Sequence, residues 1–493
     1  MNPPSVTGDA GRASFHSLVL IPCYSTTVSS GGLRTMIVIK TALVVLVVLV
    51  GWVVALSSDP GVYPGGDQNP LHGWRTLPTI PGASIDNTTL AVGNATLVHY
   101  IDAAYDARRV KRAVIQIHGE NRDAWNQWLY ADLAAQRAAE GGDLERDEVV
   151  VMAPMFFNTR DRGAYPYDEA LDPVATTTTQ DTSLPTNTAV RRGMEGRVLE
   201  RRGKFPIPLG KVSTTRAMIW KSVEWGEGAN AYEPVGAPGS FEALDAAVDF
   251  FLDRTRFPHL RKVVVAGFSL GAQLTNRYAT FRTDTTNDDR VAFWISSPNS
   301  FVYLTPTRPL RIGAACASTY ADYKYGLNGT LPSYISSTSF SASELIQRYL
   351  ARTVYYLVGM QDDSAGLDSC APNSQGRGHL DKMWYWTQQT LPYLPGSTGN
   401  EGELPPNSEV RFVAKTGHQD WKMITSDPGV ETLLLKGWYA NGTDARAPKS
   451  NGVTAANTPS LHQVTNAAST SHRGHVVAVT VAVSLPLLVA LTL

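Results

Sequence analysis

The residues with chemical potential in this sequence fall in a definite order along the chain. Ser269 stands in Gly267-Phe268-Ser269-Leu270-Gly271, a G-x-S-x-G pattern. A serine hydroxyl is a weak nucleophile and must stand out from a tight turn to meet both a base and a substrate. Glycine two residues before and two after removes the side chains that would clash where the backbone doubles back. Val263-Val264-Val265-Ala266 reads as a short buried strand, and the residues after Leu270 read as a helix. The first N–H groups of that helix would face the turn, and that of Leu270 would meet a developing oxyanion. A bland serine in a tight turn is the competing reading. The flanking strand and helix decide for a nucleophile.

Such a serine needs a base and an acid, and in open α/β sheets these collect at the carboxyl ends of strands. After the apolar run 353–358 comes Gly359-Met360-Gln361-Asp362-Asp363. After 410–414 comes Lys415-Thr416-Gly417-His418-Gln419-Asp420. His418 is the expected base, because imidazole titrates near neutrality. Asp362 is the expected acid, holding the ring and stabilising its cation. Asp363 and, more remotely, Asp368 compete with it; the three-residue step from Gly359 favours Asp362. His379, in Gly376-Arg377-Gly378-His379, is the credible competitor of His418, whereas His118 and His259 read as structural.

The elements that must position these groups alternate in type. Apolar runs at 96–101, 113–117, 149–155, 263–266, 291–295, 353–358 and 410–414 are expected strands. Helical spacing marks 123–139, 241–253 with Ser240 as its N-cap, 342–349 and 381–390. Short apolar strands separated by helices predict an α/β fold, a mainly parallel sheet with helices on both faces. The stripe Trp125, Trp128, Leu129 and Leu133 reads as core. Between about 157 and 239 the alternation fails, through a Thr-rich tract (176–188) and a basic run (191–211). This is a lid-like insertion after the fourth strand. Trp220 and Trp225, at its far end, are expected to bind substrate.

Taken together, residues 95–435 resemble an α/β-hydrolase-fold serine hydrolase, similar in particular to secreted fungal-type members. The motifs that carry the likeness are the His118-Gly119 loop, the G-x-S-x-G turn, G-x-x-D at Asp362 and Gly417-His418, in the order Ser, Asp, His. The resemblance implies a Ser-His-Asp triad, an acyl-enzyme intermediate, and neither metal nor cofactor. It also implies a second oxyanion donor after the third strand, at Glu120, with Asn121 as the alternative. A glutamate there departs from the His-Gly-Gly form and must turn its carboxylate away. The reading is a carboxylesterase-like hydrolase of small ester or acyl substrates. A peptidase on the same fold and an inactive hydrolase fold serving as a surface binding protein are its alternatives. No propeller-like repeat precedes the domain, which weakens the first, and the presence of all three triad types weakens the second.

Composition sets the outer limits. Of 493 residues 43% are hydrophobic and 18% charged, ample for a core, and the net charge of −1 gives no support to nucleic-acid binding. The hydrolase domain is expected at 58–439. Residues 1–57 read as an extension with a signal peptide or signal anchor, 440–475 as a polar stalk, and 476–493 as a C-terminal anchor signal. As a helix, 476–493 would rise about 27 Å, short of a bilayer core of roughly 30 Å, and Pro486 interrupts it. Membrane association is therefore expected through a lipid anchor, with a terminal helix as the alternative, on a protein at the cell surface or outside it. Sequons at Asn87, Asn94, Asn328 and Asn441 point to the same route, and Cys316 and Cys370 form an even pair suited to an oxidising compartment.

Overall fold

The computed structural model describes residues 58–64, 69–161, 163–165, 216–337, 340–364 and 369–438. The expected terminal segments, stalk, Thr-rich and basic tracts, Asp368 and Asn441 lie outside the described residues. Eight strands form one sheet: β1 (Ala83–Asp86), β2 (His99–Asp102), β3 (Arg112–Ile117), β4 (Val149–Pro154), β5 (Lys262–Phe268), β6 (Val291–Ser296), β7 (Thr353–Gly359) and β8 (Ser408–Val413). Their spatial order is β1-β2-β4-β3-β5-β6-β7-β8. β2 runs antiparallel to both β1 and β4, and every pairing from β4 to β8 is parallel. This strand order, with β2 reversed, is that of an α/β-hydrolase fold. β1 was not expected from the sequence, since it lies at the edge in a Pro/Gly-rich approach and carries no apolar run.

The central strands are mainly apolar because both faces are covered. In β5, Val263 and Val265 enter one core and Val264 and Ala266 the other, the period of two that a strand imposes. Each fully buried valine contributes roughly 1.5–3 kcal/mol relative to an exposed one. Helix α1 (Ala124–Glu140) covers one face with Trp125 and Trp128. Helices α2 (Ser240–Leu252) and α3 (Leu270–Phe281) cover the other, through Leu244, Val248, Phe251, Leu274 and Tyr278.

Two local expectations need correction. Ser240 is the first helical residue of α2 and the N-cap is Gly239, whose N–H donates to the Glu242 carboxylate. Ser240 Oγ instead donates to the Trp225 carbonyl at 2.6 Å, an acceptor brought close by the chain fold and invisible in local sequence. The insertion does leave after β4, and its two ends meet: Phe157–Asn158 pairs in parallel with Ile219–Trp220. Among the described residues no helix is long and apolar enough to cross a membrane.

Candidate active site

Ser269 is the junction between β5 and α3, and its backbone is held at φ 55°, ψ −116°. A serine adopts such a conformation only under constraint from its surroundings. The constraint is visible at the flanking glycines. A Cβ on Gly267 would lie 2.3 Å from the Gly271 carbonyl carbon, and one on Gly271 would lie 2.5 Å from the His118 carbonyl oxygen. The turn is thus packed against both the start of α3 and the end of β3. Ser269 N–H donates to the Ser296 carbonyl at the end of β6, which fixes the turn from the other side. The serine makes no side-chain capping bond to α3, so its hydroxyl is not committed to holding the helix.

The loop after β3 runs beside this serine: a Cβ on Gly119 would stand 3.6 Å from Ser269 Cβ. Its carbonyls are tied down one after another. His118 Nε2 accepts from Phe156 N–H at 3.0 Å, so Nδ1 carries the proton and donates to the Gly119 carbonyl at 2.8 Å. Burial pushes His118 down to about 3, keeping the ring neutral in this structural role. Arg122 donates its guanidinium to the Glu120 carbonyl, and Trp74 Nε1 donates to that of Asn121. A peptide's N–H and C=O point in opposite directions, so anchoring these carbonyls orients the intervening N–H groups. Glu120 is exposed.

The clamp on this loop is a buried ion pair that sequence reasoning missed. Arg122 Nε and Nη2 meet the Asp161 carboxylate at 2.8 and 3.1 Å, with side chains 4% and 0% exposed. Asp161 also accepts from the backbone of Trp74 and Asn158. Asp161→Ala would leave the guanidinium buried without its charge partner, a loss of roughly 3–5 kcal/mol. Urea unfolding of the variant is expected to show this loss at an unchanged m-value.

Asp362 lies at the carboxyl end of β7 and is fully buried, whereas Asp363 is exposed. His418 Nδ1 donates to Asp362 Oδ2 at 2.9 Å. His379 Nδ1 approaches Oδ1 at 3.2 Å, and Ser364 Oγ donates to the same oxygen at 3.0 Å. Burial alone would push the pKa of Asp362 up, but the hydrogen bonds from His379 and His418 outweigh it and hold the carboxyl far below the usual range. The two imidazoles stack with ring centres 4.1 Å apart. Their exposure separates them: the His418 side chain is 29% accessible and that of His379 7%. Phe268, directly before Ser269, packs its ring 4.6 Å from that of His418. Asp362, His379 and His418 place metal-ligand atom types within 4.8 Å of one another. His418 Nδ1 gives its proton to the carboxylate, whereas His379 Nδ1 is shared between the carboxylate and Ser364.

The two tryptophans expected to bind substrate do not reach an open surface. Trp220 and Trp225 are fully buried, and Trp225 stacks on Phe156 and meets His118 edge-on at 4.6 Å. Trp225 thus packs against the loop after β3 at His118, and Trp220 packs on Phe156 beside it. The reason is the pairing of the insertion's ends, which folds its far end into the core. Leu270, the first residue of α3, is buried against Gly226.

The sequence matches no family model and no curated protein. Among solved structures it is similar to a poly(3-hydroxybutyrate) depolymerase from Bordetella parapertussis, with 16% identity, a TM-score of 0.42, and coverage of 71% of this chain and 89% of that one. An S-formylglutathione hydrolase from Agrobacterium tumefaciens has 10% identity and a TM-score of 0.34 over 73% and 99%. A siderophore hydrolase from Aspergillus nidulans has 11% identity and a TM-score of 0.33 over 72% and 96%. The fold rests instead on the chain's own strand order and on the strand–turn–helix at Ser269: it is an α/β-hydrolase fold.

Proposed function

We propose that the protein is a serine hydrolase that cleaves carboxylic ester or related acyl bonds. The observation that carries this reading is the Asp362–His418 hydrogen bond, set at the ends of β7 and β8 beside the glycine-framed turn of Ser269. With Nδ1–H given to Asp362, the neutral His418 ring keeps Nε2 as its basic nitrogen. Nε2 takes the proton from Ser269 Oγ as the hydroxyl attacks the acyl carbon, and returns it to the leaving oxygen or nitrogen. The Asp362 carboxylate stabilises the imidazolium in between. Backbone N–H groups of Leu270 and Glu120 receive the oxyanion, and water then repeats the sequence to release the acid.

An alkyl fluorophosphonate tests this directly, because its phosphorus is attacked only by an activated serine. Covalent mass on the peptide carrying Ser269, with turnover of p-nitrophenyl acetate, is the expected result. Intact protein that neither labels nor turns over would establish the inactive, binding-protein reading.

We further propose that the enzyme works in an oxidising compartment reached through the secretory route. A Cys316–Cys370 disulfide joins the segment after β6 to the one after Asp362, and the sequon asparagines Asn87, Asn94 and Asn328 are all exposed. Peptide-N-glycosidase treatment of protein from a eukaryotic host should sharpen its band on a gel. An unchanged band would count against that route.

A further inference from the structure

His418 takes one oxygen of Asp362; the other is met by His379 and Ser364. This second imidazole sits at the start of the helix His379–Trp384, nearly inaccessible to substrate, with its ring stacked on that of His418. Its Nδ1 is 3.2 Å from Asp362 Oδ1, 3.0 Å from Ser364 Oγ and 3.1 Å from the Ser364 carbonyl. We propose that His379 is a positioning residue that acts through Asp362: it orients the carboxylate toward His418 and draws charge away from Oδ2. The proposal rests on the assignment of Asp362 and His418 as acid and base.

Three features support it. His379 stays neutral through the working range, since burial first, and then the neighbouring His418, push it down to about 4. It therefore presents Nδ1–H as a constant donor and does not compete for the proton in flight. The backbone is locked to the same purpose: Leu380 N–H, next to His379, donates to the Asp362 carbonyl at 2.9 Å. The other charged groups nearby have partners of their own or face solvent. Lys382, on the same helix, donates to Asn299 at 2.7 Å and its charge lowers His379 a little further, Asp381 is exposed, and Asp420, beyond His418, accepts from Gln127 at 2.7 Å.

The consequence for catalysis has a definite sign. A carboxylate that shares charge with a second donor stabilises the His418 imidazolium less. Removing the His379 donor concentrates charge on Oδ2, and the imidazolium persists to higher pH. In His379→Leu the acid limb of kcat/KM is expected to move upward by about half a pH unit. On the plateau kcat should fall roughly tenfold at unchanged KM, the scale of one hydrogen bond to an ionised group. His379→Gln, which keeps an N–H donor, should restore both toward wild type, and Ser364→Ala should move the limb in the same direction by less.

All rates are to be normalised by fluorophosphonate active-site titration, so that a fraction of unfolded enzyme does not enter. Normalised rates and a pH profile for His379→Leu that superimpose on wild type would overturn the positioning role. So would a loss in His379→Leu that His379→Gln does not repair. Ser269→Ala and His418→Ala are assayed alongside. Activity surviving in either overturns the triad assignment itself, and the role of His379 with it.

Discussion

Replacing Ser269 by alanine is expected to remove ester hydrolysis by roughly 10⁵- to 10⁶-fold, the scale on which a triad acts as a unit, and to abolish fluorophosphonate labelling. The fold should be unaffected. The hydroxyl makes no capping bond to α3, and the turn is shaped by the close approach of Gly267 to Gly271 and of Gly271 to the end of β3. Alanine pays the same conformational cost at φ 55° as serine does, since both carry a Cβ. The thermal midpoint should therefore match that of wild type while turnover disappears. Turnover of p-nitrophenyl butyrate within tenfold of wild type would remove Ser269 as the nucleophile.

His418→Ala should be about as severe, because an unassisted serine hydroxyl is not deprotonated at neutral pH. Its structural cost is expected to be small. Asp362 retains donors from His379 and Ser364 after the His418 ring is gone, so the buried carboxylate is not stranded. The double variant Ser269→Ala/His418→Ala should be little worse than either single one, as expected of groups that act together. Losses that multiply would show that the two residues work in separate steps. His379 touches the same acid but is too buried to reach a substrate. If His379→Ala proved as inactive as His418→Ala and could not be labelled, the base assignment would pass to His379.

Much of this was legible in the chain because it is local. The β5–turn–α3 unit is encoded within residues 262–281, where β-branched residues, two glycines and a run of helix formers each specify their own geometry. The apolar runs that became β3 to β8 declared themselves through their mainly apolar composition, and the ends of β7 and β8 marked where an acid and a base would stand. What sequence could not decide was which side chains meet. Asp362 and Asp363 differ by one position, and only the fold buries the first and exposes the second. Trp220 and Trp225 looked like pocket residues because an insertion carries them, yet the pairing of that insertion's ends draws them into the core. The Arg122–Asp161 clamp and the contact of His379 with Asp362 join different loops, with no pattern along the chain to announce them. Periodicity and turn chemistry act over a few residues, so a sequence declares its elements. Burial and charge pairing depend on what other elements bring alongside, so the polar partners of the site were decided only when the sheet closed its order.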